Sequence, residues 1–247
     1  MATAPLSLFN IFSDVREFLI AGFRSFPTAF AGTALFIGLF TANYAMLFFL
    51  MGLLLWTPAI NFILNPVLQW ILFFLPSSIT QAGQGPVCNL VLKDAQVGEG
   101  VGPTAAQQIV SDWAAMAIFA FSYIFTNAYA LYTLPTIYPP NATADDQAAT
   151  DEKAGLRKSR AVLSMIMILA VALVFLAIRV FVSRCDTVFG MVLGLLVFGH
   201  LGVGWYFALR GVGQDRLSDL FGVANRILSP SALANQPYVC LPQTSTQ

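Results

Sequence analysis

Two long apolar runs separated by four residues constrain the fold of this chain more than any other feature. The first run covers residues 161–182 and the second covers residues 187–209, with the sequence Ser-Arg-Cys-Asp between them. Runs of 22 and 23 residues have the length that a helix needs to cross a hydrocarbon core of about 30 Å at about 1.5 Å per residue. The pattern therefore predicts a membrane hairpin.

Composition extends this interpretation to the rest of the chain. Hydrophobic residues make up 57% of the sequence and charged residues only 10%, whereas a soluble domain carries about 25% charged residues. The formal net charge is zero, and no basic stripe exists that would bind nucleic acid. We expect an all-α, polytopic transmembrane helical bundle whose first partner is the lipid bilayer.

Residues 1–28 are predicted to form an amphipathic interfacial segment. Between residues 7 and 24, apolar positions repeat with helical spacing and polar positions fill the other side. Such a helix lies in the membrane surface or packs on a partner or on the protein's own cytoplasmic face. We expect Pro27 to end this helix, because proline interrupts helical hydrogen bonding.

The number of spans depends on one ambiguous segment. Residues 29–56 form an uncharged apolar run that predicts one span, whereas residues 59–75 are short for a span and contain Pro66. Polar side chains recur there at every fourth position and share one helical face: Asn61, Asn65 and Gln69. This stripe suits an interfacial helix, a re-entrant segment, or a span whose polar face is buried against protein.

The distribution of basic residues favours four spans, with five as the alternative. Four spans place nine basic residues on the side of both termini and three on the other side, whereas five spans divide them seven to five. Basic residues concentrate on the cytoplasmic side of membrane proteins. We therefore expect a transmembrane domain over residues 29–210 with an outer loop at 57–112, and a cytoplasmic-side tail over residues 211–247.

The three cysteines have no zinc-site spacing. In the four-span topology Cys88 and Cys185 share the outer side, where they could form a disulfide. We expect three free thiols, with this disulfide as the alternative.

The last apolar run carries a candidate helix-packing seam. Gly190 and Gly194 form a GxxxG pair, which permits close approach of another helix, most simply the preceding one. His200 is the only histidine and falls near mid-span, where an ionisable residue suggests function. Since no charged residue lies at that depth, a neutral histidine bonded across the seam is favoured. The predicted seam comprises Gly190, Gly194, Gly199 and His200.

Three charged residues cluster at the turn of the hairpin: Arg179, Arg184 and Asp186. They predict either an anion or partner contact, or arginines that reach the interface and pair with Asp186. The cluster resembles the last part of the phosphatidic-acid-phosphatase superfamily. However, no histidine lies between Arg179 and Asp186 and no PSGH element exists, so the acid and the nucleophile are missing. We favour the ion pair, and predict no catalytic, cofactor-binding or metal-binding residue.

The hairpin and the tail also carry a more specific pattern: Arg157-Lys158, Arg179, Cys185-Asp186, Gly190, Gly194, Gly202, Trp205-Tyr206, the run from Asp215 to Leu228, Pro237 and Cys240. In this pattern residues 155–242 resemble membrane proteins of large nucleocytoplasmic DNA viruses. The resemblance implies a virion internal membrane, or a host membrane of the endoplasmic reticulum type. The tail would then dock on capsid or other membrane proteins through Asp215, Arg216, Leu217, Asp219, Leu220, Phe221 and Arg226.

The sequence thus predicts a non-enzymatic structural or assembly membrane protein without a cofactor. One alternative is a small channel or transporter with a polar seam formed by Asn61, Asn65, Gln69 and His200. Another alternative is a degenerate lipid-phosphate phosphatase.

Overall fold

The computed structural model describes residues 8–76, 80, 88, 108–136, 144–213 and 215–220. For residues 8–21, 213, 215 and 216 this description covers the backbone alone. Every regular element in the described part is a helix, and no strand occurs there. This confirms the predicted all-α class.

Six helices follow one another along the described part of the chain, and three of them contain a π-helical turn. They are α1 (Leu8–Phe40), α2 (Tyr44–Met51, the π turn Gly52–Trp56 and Thr57–Ile71), α3 (Asp112–Thr133), α4 (Ala144–Ala177 and the π turn Ile178–Val182), α5 (Val188–Gly194, the π turn Leu195–Gly199 and His200–Gly213) and α6 (Asp215–Ser218).

Five helical segments in the described ranges are long and apolar enough to cross a membrane: Gly22–Phe40, Tyr44–Ile71, Asp112–Thr133, Ala144–Val182 and Val188–Val212. The number of candidate spans matches the alternative of five and not the preferred four, but the first two have other bounds than predicted. Successive segments alternate in direction, so the two ends of the described chain lie at opposite ends of the bundle.

The apolar run at 29–56 is not one span, because the chain turns back within it. Ala42 adopts a left-handed conformation with φ of 49°. Asn43 begins α2, and its side-chain oxygen accepts a hydrogen bond from the backbone N–H of Met46 at 3.1 Å. The Thr41 hydroxyl donates to the Ile37 carbonyl at 2.6 Å. The turn at residues 41–43 thus closes a hairpin between α1 and α2 with local hydrogen bonds.

Residues 57–71 continue α2, so the outer loop predicted at 57–112 is wrong for this part. Asn61 and Asn65 are buried, as expected for a span whose polar face is covered by protein. Pro66 lies inside the helix and does not end it. The predicted interfacial and re-entrant alternatives therefore do not apply to this segment.

Pro27 also lies inside a continuous helix, which contradicts the predicted break. Proline lacks an N–H, so the carbonyl four residues earlier, that of Phe23, has no donor within α1. The indole N–H of Trp113 donates to this carbonyl at 3.0 Å from α3. A neighbouring helix thus satisfies the group that proline leaves free, as membrane helices allow. The amphipathic pattern of residues 8–21 lies outside the described side chains.

Helix α3 forms the centre of the bundle. Most of its side chains are buried, and it contacts α1, α2, α4 and α5. Aromatic rings from α1 and α4 pack beside it, with ring centroids 4.2 Å apart for Phe23 and Phe175 and 4.5 Å apart for Phe26 and Phe175. Ring pairs of this kind contribute about 0.5–1.5 kcal/mol each beyond burial.

The alternating helices give the bundle two ends. We call one the disulfide end, which comprises Cys88, residues 108–112 and the turn at 183–187. We call the other the tail end, which comprises the turn at 41–43, residues 134–136 and residues 215–220.

Candidate functional site

A disulfide joins Cys88 to Cys185 at the disulfide end. The two Cα atoms lie 5.1 Å apart across a sequence separation of 97 residues, within the usual range for a disulfide. The expected free thiols are therefore wrong for this pair. The bond fixes Cys88 to the hairpin turn between α4 and α5.

A buried ion pair lies directly beside this disulfide. The Arg179 Nε donates to the Asp186 carboxylate at 2.8 Å, and both side chains are at most 3% exposed. The Arg179 Nη2 also donates to the Cys88 carbonyl at 3.2 Å, and its guanidinium carbon lies 4.7 Å from the centre of the Trp113 ring. Arg179 is thus buried among partners from three segments of the chain.

Arg184 differs from Arg179 in its exposure and its backbone conformation. Its side chain is exposed, and its backbone adopts a left-handed conformation with φ of 52° at the tip of the turn. An anion or partner contact at this cluster stays a prediction, and Arg184 is the cation that faces outward there.

The polar stripe of α2 holds the segment that leads into α3. The side-chain oxygen of Asn65 accepts from the backbone N–H groups of Ile109 at 2.8 Å and Val110 at 3.1 Å. Its amide donates to the Val110 carbonyl at 3.1 Å, while the Asn61 amide donates to Asp112 at 2.6 Å. These side-chain amides supply hydrogen bonds to buried backbone groups of an irregular segment. In a strand or a helix, other backbone groups would supply them. We call this set of contacts the asparagine clamp.

The glycine seam of α5 packs against α3 and the segment before it, not against the preceding helix as predicted. A Cβ at Gly190 would overlap the Ile109 carbonyl oxygen, and one at Gly202 would lie 2.6 Å from the Phe119 carbonyl oxygen. A Cβ at Gly194 would lie 3.0 Å from the Ile118 side chain, whereas Gly199 has more room. Small residues thus let two helix backbones approach closely, with α3 as the partner.

His200 does not belong to this seam. Its side chain is exposed on the outside of the bundle, and its Nδ1 donates to the Leu196 carbonyl, four residues earlier in the same helix, at 2.6 Å. The predicted hydrogen bond across a helix seam is therefore wrong. The bond lies within one helix, so Nδ1 has its partner without a contact from a neighbouring helix.

Part of the predicted docking tail folds back onto the protein itself. The Tyr123 hydroxyl donates to the Ser218 carbonyl at 3.1 Å, and the Asn127 amide donates to Asp219 at 3.2 Å. Leu217 and Leu220 pack against the apolar core. Asp215 and Arg216 lie in α6 with undescribed side chains, and Phe221 and Arg226 lie outside the described residues.

The first half of α4 is the most exposed regular structure of the described part. Helix Ala144–Val182 has 39 residues, about 58 Å at about 1.5 Å per residue, which exceeds a hydrocarbon core of about 30 Å. The polar residues that precede the apolar run at 161–182 are helical from Ala144 onward. Nearly all the side chains from 144 to 160 are exposed, so a charged helix projects from the tail end.

Three residues of these contacts escaped the sequence analysis as partners: Trp113, Tyr123 and Asn127. Both Trp113 and Asn127 lie in an apolar run, residues 113–134, which by itself indicates no partner for either side chain. Proline at position 27 was the available signal for Trp113, since it requires a donor from elsewhere.

Within the described ranges, no group of three or more histidine, cysteine or acidic residues is placed to hold a metal ion. No protein-family model, no curated protein and no solved structure matches the chain. The fold is that of a helical bundle compatible with a multi-pass integral membrane protein.

Proposed function

We propose that this protein is a non-enzymatic structural membrane protein that holds partner proteins at a membrane. One observation carries the proposal: the charged first half of α4 projects from the bundle as an exposed continuation of a membrane-spanning helix. Asp145 lies 15 residues before Arg160, or about 22 Å further along the helix axis. Because this helix is continuous with a span, its acidic first turns lie at a fixed distance from the membrane.

The buried polar groups support an architectural role, because the described contacts use them to hold the bundle together. Asn61 and Asn65 bind the backbone before α3, and Arg179 binds Asp186. These are two of the polar features that a channel or an anion-binding enzyme would need. Gln69 and His200, the remaining candidates for a polar seam, both have exposed side chains.

The partner on the tail end is a protein with a basic surface, in line with the acidic residues in the first turns of α4 (Asp145, Asp146, Asp151 and Glu152). The resemblance of residues 155–242 favours capsid or other membrane proteins as partners. It also favours a virion internal membrane, or a host membrane of the endoplasmic reticulum type, as the location.

Cross-linking in native membranes with quantitative mass spectrometry tests the proposal. We expect a protein partner in stoichiometric amount, with cross-links to residues 144–152. Neutralising two exposed carboxylates (Asp145→Asn with Glu152→Gln) should reduce the cross-linked fraction severalfold, whereas Asp145→Glu with Glu152→Asp should preserve it. A chain that purifies without any stoichiometric protein partner would contradict the proposal.

Two activity measurements separate the alternatives. Solute flux in liposomes that contain only this protein would favour a channel or transporter. Hydrolysis of lipid phosphates by the purified protein would favour a phosphatase. We expect neither activity above that of empty liposomes.

A further inference from the structure

Four cations lie within eight residues of α4: Lys153, Arg157, Lys158 and Arg160. We call residues 153–160 the basic segment. Lys153, Lys158 and Arg160 are exposed, whereas Arg157 is partly buried and its Nη2 donates to the Leu134 carbonyl at 2.6 Å. This bond fixes the segment against the end of α3 and leaves the other three cations exposed.

The position of the basic segment along α4 sets its depth in the membrane. Residues 161–178 carry no charge, and Arg160 and Arg179 are 19 residues apart, or about 28 Å along the axis. This separation matches a hydrocarbon core of about 30 Å. Arg160 therefore lies at the hydrocarbon edge, and the basic segment extends about 10 Å beyond it.

Lipid phosphates occupy the same depth. The polar headgroup layer extends about 5–8 Å beyond the hydrocarbon on each side, so it holds Arg157, Lys158 and Arg160, and the long side chain of Lys153 reaches it. Glu152 and Asp145 lie about 12 and 22 Å from Arg160 along the axis, in water. Depth thus separates the basic segment from the acidic surface above it.

The disulfide indicates which leaflet the basic segment faces. Disulfides form and persist on the oxidising side of a membrane, so the disulfide end lies there and the tail end faces the cytosol. The cations whose side chains are described agree with this orientation, since three lie towards the disulfide end (Arg24, Arg179 and Arg184) and five towards the tail end (Lys153, Arg157, Lys158, Arg160 and Arg210). The cytosolic leaflet is the one that carries anionic lipids.

We propose that the basic segment binds the phosphate groups of anionic lipids in the leaflet at the tail end. Arg157, held by Leu134, positions the helix, and the three exposed cations contact the headgroups. This binding site goes beyond the assembly role proposed above and does not depend on it, because it requires lipid alone. Each cation near an anionic surface strengthens binding about fivefold, so three exposed cations contribute a factor on the order of a hundred.

Native mass spectrometry of the purified chain, titrated with phosphatidylserine or phosphatidylcholine, tests this proposal. We expect tighter binding of phosphatidylserine. The variant Lys153→Gln, Lys158→Gln, Arg160→Gln should lose at least tenfold in affinity for phosphatidylserine and keep its affinity for phosphatidylcholine. It leaves Arg157 and its bond to Leu134 in place, so the bundle should still fold.

Two matched variants distinguish a binding site from general charge. The variant Lys153→Arg, Lys158→Arg, Arg160→Lys keeps all charges and should bind phosphatidylserine as the unaltered chain does. Arg184→Gln removes an exposed cation at the opposite end and should leave binding unchanged. Equal affinity for both lipids, or a preference that survives the three glutamines, would overturn the proposal. Displacement of the lipid by equimolar inorganic phosphate would also overturn it, since the site would then recognise free phosphate.

Discussion

The disulfide end and the tail end of the bundle are held together by different kinds of interaction. At the disulfide end a covalent bond, the buried Arg179–Asp186 pair and the asparagine clamp all meet around the start of α3. At the tail end the Tyr123 hydroxyl and the Asn127 amide donate to Ser218 and Asp219 and hold a short segment on an apolar surface. One end is closed by several mutually dependent contacts, and the other presents a charged helix.

The difference indicates that the disulfide end is held rigidly, whereas the tail end is accessible to partners. Buried polar networks are costly when one member is lost, because the remaining groups stay desolvated. The tail-end bond between Tyr123 and Ser218 is also buried, but it joins two neutral groups, and one such bond contributes about 1 kcal/mol. Substitutions at the disulfide end should therefore destabilise the bundle more than substitutions at the tail end.

The largest effect is expected at the asparagine clamp. Asn65→Leu keeps the side-chain volume but leaves the N–H groups of Ile109 and Val110 buried without an acceptor. Each such group costs about 1–3 kcal/mol, so the free energy of unfolding should fall by about 4 kcal/mol. Titration with a denaturing detergent in lipid micelles measures it. A loss no larger than that of Tyr123→Phe would mean that the two ends are held equally.

The glycine seam should give the next largest effect. Gly190→Ala forces a methyl group into the Ile109 carbonyl oxygen, and overpacking of this kind costs about 1–3 kcal/mol. Gly204→Ala in the same helix is the control, since nothing lies within 4 Å of its added Cβ. It should leave the protein unchanged or up to about 1 kcal/mol more stable. Equal thermal midpoints for the two variants would show that close packing at the glycine seam does not contribute to the stability of the disulfide end.

Removal of the disulfide tests whether its covalent bond matters beyond the contacts around it. Cys88→Ala with Cys185→Ala should lower the free energy of unfolding by about 2 kcal/mol, at the lower end of the usual range. The unfolded chain remains confined by its inserted helices, so the bond restricts it less than it would restrict a soluble chain. Reductant should lower the thermal midpoint of the unaltered protein and leave that of the double variant unchanged. If reductant also lowered the thermal midpoint of the double variant, the effect would not come from the bond between Cys88 and Cys185.

The smallest effect is expected at the tail end. Tyr123→Phe removes the hydrogen bond to the Ser218 carbonyl and keeps the ring contacts with Phe49 and Tyr206. The free energy of unfolding should fall by about 1 kcal/mol. Hydrogen exchange of residues 217–220 should rise, while exchange at residues 109–110 should stay unchanged. Faster exchange at both ends would show that the ends are coupled.

The sequence sufficed for the helical class because apolar length is a local property. The run at 161–182 predicts its helix without reference to any other residue. The polar stripe of α2 was equally visible, and a span with its polar face buried against protein was one of its three interpretations. What the stripe could not reveal was its partner, since Ile109 and Val110 offer only backbone groups, which every residue has.

The errors arose where a distant residue overrides a local rule. Pro27 normally ends a helix, but Trp113 supplies the missing donor from 90 residues away. The turn at 41–43 consists of Thr-Ala-Asn, a weak polar signal in an apolar run, so residues 29–56 looked like one span. The count of basic residues then rested on that wrong division. The glycine seam was recognised on α5, but glycine has no side chain that could identify α3 as its partner.

The hydrogen bond between Trp113 and Phe23 has a consequence for the synthesis and membrane insertion of the protein. A ribosome that adds about 5–20 residues per second makes Trp113 about 5–20 s after Phe23. During that interval the first helix carries a carbonyl that its own backbone cannot satisfy, and water or the insertion machinery must supply the donor. The Phe23 carbonyl therefore gains its partner within the protein only after α3 has been made.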